Sequence, residues 1–253
     1  MLTIENLLVQ QEHRQILNLP AASLVSGELI AVLGPNGAGK SSLIKTICGE
    51  WPASTGQIRL HNKPLPNWPR HLLARHLGVL PQASHLSFPF KAQEVVAIGA
   101  TPLNLNRHDI DQAVQKWMQA TDTWQFADRL YPSLSGGERQ RVQLARVLLQ
   151  LSQAERAPLL LLDEPTSAQD LGQQHLLLNL VKSLCQKNNF AVISILHDLN
   201  QASRYADKVW LLQQGELVAQ GSPPQVLQPE TVMKIWGYQP ELFFNSQGQQ
   251  ILV

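Results

Sequence analysis

The sequence predicts an α/β fold with a mainly parallel sheet, an antiparallel β part and an inserted helical subdomain, and three observations support this prediction. Short apolar runs with strand character, as in parallel strands covered by helices, lie at residues 28–33, 159–162 and 191–196. Gln214-Gly215 separates two further runs, 209–212 and 216–219, a pattern typical of an antiparallel hairpin. Residues from about 84 to 150 contain few β-branched runs and several helix-like segments, which predicts the helical subdomain.

Composition excludes several classes of protein. The 253 residues are 44% hydrophobic and carry 20 Lys and Arg against 19 Asp and Glu, a formal net charge of +1. This balance excludes a disordered chain and gives no support to a basic nucleic-acid-binding surface. The N-terminal residues lack the basic and apolar regions of a signal peptide, and every apolar run is far shorter than the roughly 20 residues that span a bilayer. We therefore expect a soluble, cytoplasmic chain.

The strongest local signal is a phosphate-binding loop. Residues 34–41 match G-x-x-x-x-G-K-[ST] and lie between a predicted strand and a predicted helix, the context that this motif requires. Small residues allow backbone N–H groups to surround phosphate oxygens, and the helix N-terminus adds its positive end. Lys40 is expected to contact the β- and γ-phosphates, and Ser41 to ligate Mg²⁺. The predicted ATP-binding residues are Gly34, Pro35, Asn36, Gly37, Ala38, Gly39, Lys40, Ser41 and Ser42.

Two carboxylates follow the second apolar run. Asp163 and Glu164 come directly after Leu159–Leu162, and the carboxyl ends of strands are where open α/β folds bind ligands. Asp163 suits the Mg²⁺ shell, and Glu164 suits a group that orients or deprotonates an attacking water. Together with the phosphate loop, these residues indicate a phosphate-loop nucleoside triphosphatase.

A second candidate anion site lies within the helical subdomain. Leu134, Ser135, Gly136, Gly137 and Glu138 place a serine and two glycines at the start of a predicted helix. One ATP needs only one phosphate-binding loop in one chain. The second site is therefore expected to serve a nucleotide that another copy of the chain holds.

In this order, the motifs resemble those of the ATP-binding cassette (ABC) ATPases, and the resemblance covers nearly the whole chain. Residues 134–138 match the LSGGE signature of that family, and Gln82 resembles its Q-loop glutamine. Residues 167–170 resemble its D-loop, and His197 resembles its switch histidine. The resemblance implies one nucleotide-binding domain over residues 1–253.

The resemblance also implies the internal organisation and the assembly. The helical subdomain, about 84–150, is inserted into a RecA-like core, and a C-terminal tail of about 222–253 has no assigned role. Two copies are expected to form a head-to-tail homodimer that encloses two ATP molecules. Each ATP is held by the phosphate loop of one copy and by residues 134–138 of the other.

The family also implies roles for individual residues. Glu164 and His197 are the expected catalytic residues, and Asp170 is expected to communicate across the dimer. The expected Mg²⁺ ligands are Ser41, Gln82 and Asp163.

Two segments depart from the family pattern. The family usually has an aromatic residue that stacks on adenine near residues 10–14, where this chain has Gln11, Glu12, His13 and Arg14. His13 and Arg14 are the alternative stacking residues. Gln169 stands where the D-loop usually has leucine.

Within the family, the sequence is most similar to hemin import ATP-binding proteins, in the group of importers for iron chelates, heme and cobalamin. Residues 87–90 with 94–99, and residues 197–202 with 204–207, carry this likeness. A ferric siderophore or cobalamin remains an alternative cargo, and a soluble non-transport ABC ATPase is the alternative class.

The importer interpretation implies specific partners and a location. We expect two transmembrane permease subunits, an indirect partner in a periplasmic substrate-binding protein, and no nucleic acid. The chain is then peripheral, on the cytoplasmic side of the inner membrane. Phe88 and Phe90 form a candidate surface for the permease, with ordinary packing of the helical subdomain as the alternative.

Overall fold

A computed structural model describes residues 1–12, 14–82, 88–167, 169–246 and 248–253. The chain divides into two units, the first made of residues 1–68 and 191–253 and the second of residues 69–190. The strands of the first unit are β1 Leu2–Gln11, β2 Arg14–Leu24, β3 Leu29–Leu33, β4 Thr55–Leu60, β5 Lys63–Pro64, β8 Ala191–Ile195, β9 Lys208–Gln213, β10 Glu216–Gly221, β11 Leu242–Phe244 and β12 Gln250–Leu252. Its helices are α1 Lys40–Ile47, α7 Leu199–Tyr205, α8 Pro223–Val226 and α9 Pro229–Trp236. The second unit contains β6 Leu77–Leu80, β7 Leu159–Leu162, α2 Arg70–His76, α3 Ala92–Ala97, α4 Arg107–Ala120, α5 Gly136–Gln150 and α6 Leu171–Asn188.

The first unit is built on a mixed sheet in the order β5-β4-β1-β2-β10-β9-β3-β8. β3 pairs in parallel with both β8 and β9, and its five residues are all buried. β1 pairs antiparallel with β2 and β4, and β9 pairs antiparallel with β10, as the turn at Gln214-Gly215 predicts. The predicted α/β fold, with parallel strands and a separate antiparallel part, is confirmed.

The second unit joins a parallel strand pair to helices. β6 and β7 pair in parallel from Leu77 opposite Leu159 to Leu80 opposite Leu162, and the four leucines of β7 are buried because both faces are covered. α4 buries Val114, Trp117 and Met118, the i, i+3, i+4 spacing of an amphipathic helix. α3, α4 and α5 occupy the predicted helical subdomain, whose expected start at Ser84 lies outside the described residues.

The tail, about 222–253, forms two short helices and a hairpin of β11 and β12. No helix within the described ranges combines the length and the apolar character needed to cross a bilayer. The division of residues 1–253 into a core, an inserted subdomain and a tail stays a prediction.

Candidate functional site

The phosphate loop is the turn between β3 and α1, and close packing of the backbone shapes it. At Gly34, φ is +148°, and a Cβ there would lie 2.1 Å from the carbonyl oxygen of Leu212 on β9. The loop is also tied to the β9–β10 turn, because the Gly215 N–H donates to the Ala38 carbonyl at 3.0 Å. The sheet therefore sets the loop conformation, and glycine is the residue that this approach permits.

Lys40 places a positive charge inside this loop. Its Nζ donates to the Gly34 carbonyl at 2.7 Å and to the Pro35 carbonyl at 3.0 Å, and the residue is only 7% exposed. Ser41 and Ser42 lie in the first turn of α1, where backbone N–H groups point toward the loop. A buried ammonium beside a helix N-terminus suits polyphosphate binding.

The ends of β6 and β7 bring two predicted site residues together. The Asp163 N–H donates to the Leu80 carbonyl at 2.9 Å, which aligns the two chain segments as they leave the sheet. Just beyond, Gln82 Nε2 donates to Glu164 Oε2 at 2.6 Å. The Q-loop glutamine and the predicted catalytic carboxylate, 82 residues apart in sequence, are thus in direct contact.

Glu164 has an unusual backbone conformation. Its φ is +51°, in the left-handed region that disfavours side chains with a Cβ. The Glu164 carbonyl accepts hydrogen bonds from Gln140 Nε2 at 3.2 Å and Ser167 Oγ at 3.0 Å. These donors hold the residue in a conformation that costs about 1 kcal/mol or more, as strained residues at functional sites do.

Gln140 is a functional candidate to which the sequence analysis assigned no role. It lies on α5 and is 7% exposed. Besides donating to Glu164, it accepts a hydrogen bond from Gln169 Nε2 at 3.1 Å through Oε1. Gln169, which stands where the D-loop usually has leucine, therefore belongs to a hydrogen-bond network that runs through Gln140 to Glu164. No local pattern in the sequence marks Gln140, because its burial and its contacts with residues 164 and 169 exist only in the folded chain.

The signature segment forms the N-terminus of α5. Ser135 is the N-cap residue: its Oγ accepts from the Glu138 N–H at 3.2 Å, and Glu138 Oε2 accepts from the Ser135 N–H at 2.7 Å. The Ser135 N–H holds the pKa of the Glu138 carboxyl below its usual range. Leu134 is buried while Ser135 and Gly136 are exposed, so the segment presents its polar end to solvent.

His197 lies between β8 and α7 and is exposed. Its neighbours are fixed on both sides: the Leu196 N–H donates to the Val32 carbonyl at 3.2 Å, and the Asp198 carboxylate caps α7 by accepting from the Asn200 N–H at 2.7 Å. The histidine is thus presented at the end of β8.

The D-loop and the adenine region are described only in part. Asp170 is the N-cap of α6, where Oδ1 accepts from the Gln173 N–H at 2.9 Å, and Ala168 lies outside the described residues. In the region expected to contact adenine, Gln11 ends β1 and exposed Arg14 begins β2. His13, the other candidate stacking residue, also lies outside the described residues.

The predicted magnesium ligands fit a hard cation. Ser41, Gln82 and Asp163 supply hydroxyl, amide and carboxylate oxygens, the donor types that Mg²⁺ prefers. Among the described residues, no group of three or more His, Cys, Asp or Glu could hold a metal ion.

Comparisons with known proteins show what the chain resembles. The family model for ABC transporters matches residues 17–167. The chain is 47% identical over 253 residues, all of both chains, to the hemin import ATP-binding protein HmuV of Shewanella denitrificans. It is 48% identical to HmuV of Vibrio cholerae over 92% of this chain and 90% of that one. Among solved structures, a metal-chelate type ABC transporter in an inward-facing conformation superposes with a TM-score of 0.81 at 27% identity, over 100% of this chain and 96% of that one.

Proposed function

The chain belongs to the ABC transporter family, and from this premise we propose that it is the ATP-hydrolysing subunit of an importer that carries heme across the inner membrane. The observation that supports the cargo is the 47% identity to a hemin import ATP-binding protein over the full length of both chains. A ferric siderophore or cobalamin is the second candidate, because the solved structure at 27% identity is described only as a metal-chelate type transporter, a description that does not single out heme.

ATP binding rests on residues 34–42. Lys40 neutralises the β- and γ-phosphates, and the N–H groups of the loop and of the first turn of α1 donate to phosphate oxygens. Ser41, Asp163 and Gln82 are the proposed Mg²⁺ ligands. When bound, Mg²⁺ supplies neutralisation of the charge that develops on the transferred phosphoryl group.

Hydrolysis rests on Glu164 and His197. Glu164 accepts the proton of the attacking water, and the amide of Gln82, 2.6 Å from Oε2, orients its carboxylate. His197 contacts the γ-phosphate and the water. Because Gln82 touches the catalytic carboxylate directly, a shift of the Q-loop changes the position of the base. This contact supports a link between nucleotide state and the membrane partner.

The active assembly is a head-to-tail homodimer in which residues 134–138 of one copy complete the ATP site of the other. Exposure of Ser135 and Gly136 supports this arrangement. ATP closes the dimer because its phosphates are stabilised from both sides, and hydrolysis removes that link.

The permease contacts an aromatic patch, which we define as Phe88, Phe90 and Leu130. These residues are 67%, 39% and 48% exposed, and the two rings lie 6.1 Å apart. The Tyr131 N–H donates to the Phe90 carbonyl at 2.8 Å, which holds the two segments together. The chain works peripherally, on the cytoplasmic side of the inner membrane, with two permease subunits and, indirectly, a periplasmic binding protein.

The test of this function uses the chain co-purified with its permease in lipid. ATP turnover is measured after adding periplasmic binding protein loaded with heme, ferric siderophore or cobalamin in turn. We expect stimulation by the heme-loaded protein alone. Stimulation by another chelate would support the same mechanism and identify that chelate as the cargo. A chain that associates with no permease, and whose hydrolysis is stimulated by DNA or a soluble protein, would favour a non-transport ATPase.

Two variants accompany this test. Glu164→Gln is expected to bind ATP, dimerise and hardly turn over, and unchanged hydrolysis would overturn the assignment of the base.

Phe88→Ser is expected to keep basal hydrolysis and lose stimulation by the loaded binding protein. Full stimulation in that variant would remove the aromatic patch from the permease interface.

A further inference from the structure

The C-terminal hairpin, which we define as the strand pair β11 and β12, has no role in the proposed chemistry. Its strands β11 and β12 pair antiparallel, with Leu242 opposite Leu252 and Phe244 opposite Gln250. Two-stranded hairpins are at best marginally stable alone in water. The hairpin must therefore be held by the surface on which it lies.

That surface includes α7, and Asn200 makes the main polar contact. Asn200 Nδ2 donates to the Leu252 carbonyl at 2.9 Å, and its Oδ1 accepts from the Leu252 N–H at 2.8 Å. One amide side chain thus meets both backbone groups of one β12 residue, as a neighbouring strand would. Ser203, three residues further along α7, adds a hydrogen bond from Oγ to the Gln250 carbonyl at 2.8 Å.

The other side of the hairpin is anchored near α8 and α9. Gln250 is 4% exposed, and its Nε2 donates to the carbonyl of Leu227, which lies between these two helices. Leu252 is 7% exposed. Buried polar side chains with satisfied hydrogen bonds specify one arrangement strongly, because displacement leaves them unpaired. The hairpin therefore joins α7 to the junction of α8 and α9 in a defined position.

α7 needs such support. It has only seven residues, Leu199–Tyr205, and helices this short are unstable in isolation, so tertiary contacts set its position. Ala202 and Tyr205 pack inward, at 0% and 4% exposure. Asn200 and Ser203 provide the contacts to the hairpin. The first turn of α7 also holds Asp198, whose carboxylate accepts from the N–H groups of Asn200 and Gln201. His197 directly precedes it.

We infer that the C-terminal hairpin is a positioning element for His197, and that Asn200 is the residue through which it acts. The hairpin fixes α7, α7 fixes the cap at Asp198, and the cap fixes the peptide that carries the histidine. The inference rests on the role proposed above for His197. It assigns a function to the last residues of the chain, which touch neither the phosphate loop nor the nucleotide in the proposed mechanism.

The experiment measures steady-state ATP turnover and nucleotide affinity for the full-length chain and its Asn200→Ala variant. We expect kcat to fall about five- to tenfold, the loss that two misplaced hydrogen bonds produce, while the KM for ATP and the affinity for a non-hydrolysable analogue stay within about twofold. The matched control is Phe244→Ala in the same hairpin, whose side chain is 65% exposed. It should match the wild type. All assays are run well below the thermal unfolding midpoint of each variant.

A double-mutant cycle with His197→Ala separates positioning from a general structural effect. Because Asn200 acts through His197, Asn200→Ala should have no further effect once the histidine is absent. Wild-type kcat in Asn200→Ala, a parallel loss of ATP affinity, or the same fractional loss in both backgrounds would overturn the inference while leaving the ATPase function intact. Full turnover in His197→Ala alone would instead remove the proposed role of the histidine, and the inference with it.

Discussion

Two helix N-termini are proposed to meet the phosphates of ATP, and they are built differently. α1 begins after Gly39, which has no side chain to act as a cap, and its first turn, Lys40 to Leu43, contains no acidic residue. α5 begins with a complete capping box, in which Ser135 and Glu138 satisfy each other's N–H groups. The first therefore offers backbone donors to a ligand, whereas the second has already used two of them internally.

This contrast predicts that the two N-termini bind anions with different strength. An uncapped N-terminus with a buried lysine binds an anion strongly within one chain. A capped N-terminus carries the negative charge of Glu138 and binds an anion weakly unless another group holds that anion in place. The signature segment is therefore suited to sense a nucleotide already bound to a partner copy rather than to recruit one itself.

The largest predicted effect tests the stronger of the two sites. Lys40→Ala removes the ammonium from the phosphate loop and should weaken ATP binding about 100-fold, the upper range for charge-assisted hydrogen bonds. Isothermal titration of the isolated chain measures it. Lys45→Ala is the control on the same helix, because Lys45 stacks on Trp51 at 5.0 Å. Tight binding that survived in Lys40→Ala would contradict the phosphate-loop assignment.

The next effect tests the weaker site. Ser135→Ala should leave the ATP affinity of a single chain unchanged but weaken ATP-driven dimerisation about tenfold, together with about 1 kcal/mol of stability from the lost cap. Sedimentation with ATP in the Glu164→Gln background measures the dimer. The control Ser133→Ala removes a hydroxyl that donates to the Leu130 carbonyl at 2.7 Å, outside the signature. Equal dimerisation in all three chains would contradict the predicted role in trans.

The third prediction concerns Gln140, a buried glutamine on α5 that donates to the Glu164 carbonyl. Gln140→Leu removes the donor to the Glu164 carbonyl and should lower kcat about three- to tenfold without changing ATP affinity. Gln169→Leu removes the hydrogen bond to Gln140 but leaves the bond from Gln140 to the Glu164 carbonyl in place, so the loss of kcat should be smaller. Turnover of the two variants is measured side by side. A larger loss of kcat in Gln169→Leu than in Gln140→Leu would show that Gln140 supports the D-loop and not the Glu164 carbonyl.

The smallest effect is a dependence on pH. Because the pKa of Glu138 is lowered from its ordinary value of 4.5 by folding, its carboxylate stabilises the folded state fully above that pH, and the stabilisation disappears as the pH falls through the lowered pKa. Glu138→Gln keeps an acceptor for the Ser135 N–H but cannot titrate. Its loss of stability between neutral and acidic pH should therefore be smaller than that of the wild type in denaturant titrations. Identical pH profiles would contradict this origin of the shift.

The sequence predicted local features well. The strand–loop–helix unit around residues 34–41 and the apolar strand before Asp163 depend on neighbouring residues, so their patterns are visible in the chain. The same holds for the β9–β10 hairpin, where Gln214-Gly215 fixes the turn.

Other features depend on contacts between distant residues. β1, β2 and β4 expose one face, and their pairing was not apparent from any local pattern. The contact of Gln82 with Glu164 was not predicted, because no local rule links residues 82 positions apart, and the family resemblance assigned Gln82 only to Mg²⁺. The contact of Asn200 with Leu252 was not predicted at all, since an asparagine near a helix start is ordinarily read as solvated.

The left-handed backbone at Glu164 has an evolutionary consequence. Glycine or asparagine would adopt φ near +51° more readily than glutamate does, so either substitution would relieve strain while deleting the proposed base. Laboratory selection for heat resistance alone would therefore favour inactive chains at this position, and only selection for transport would retain the carboxylate. At residue 164, selection for thermal stability and selection for ATP turnover would therefore favour different residues.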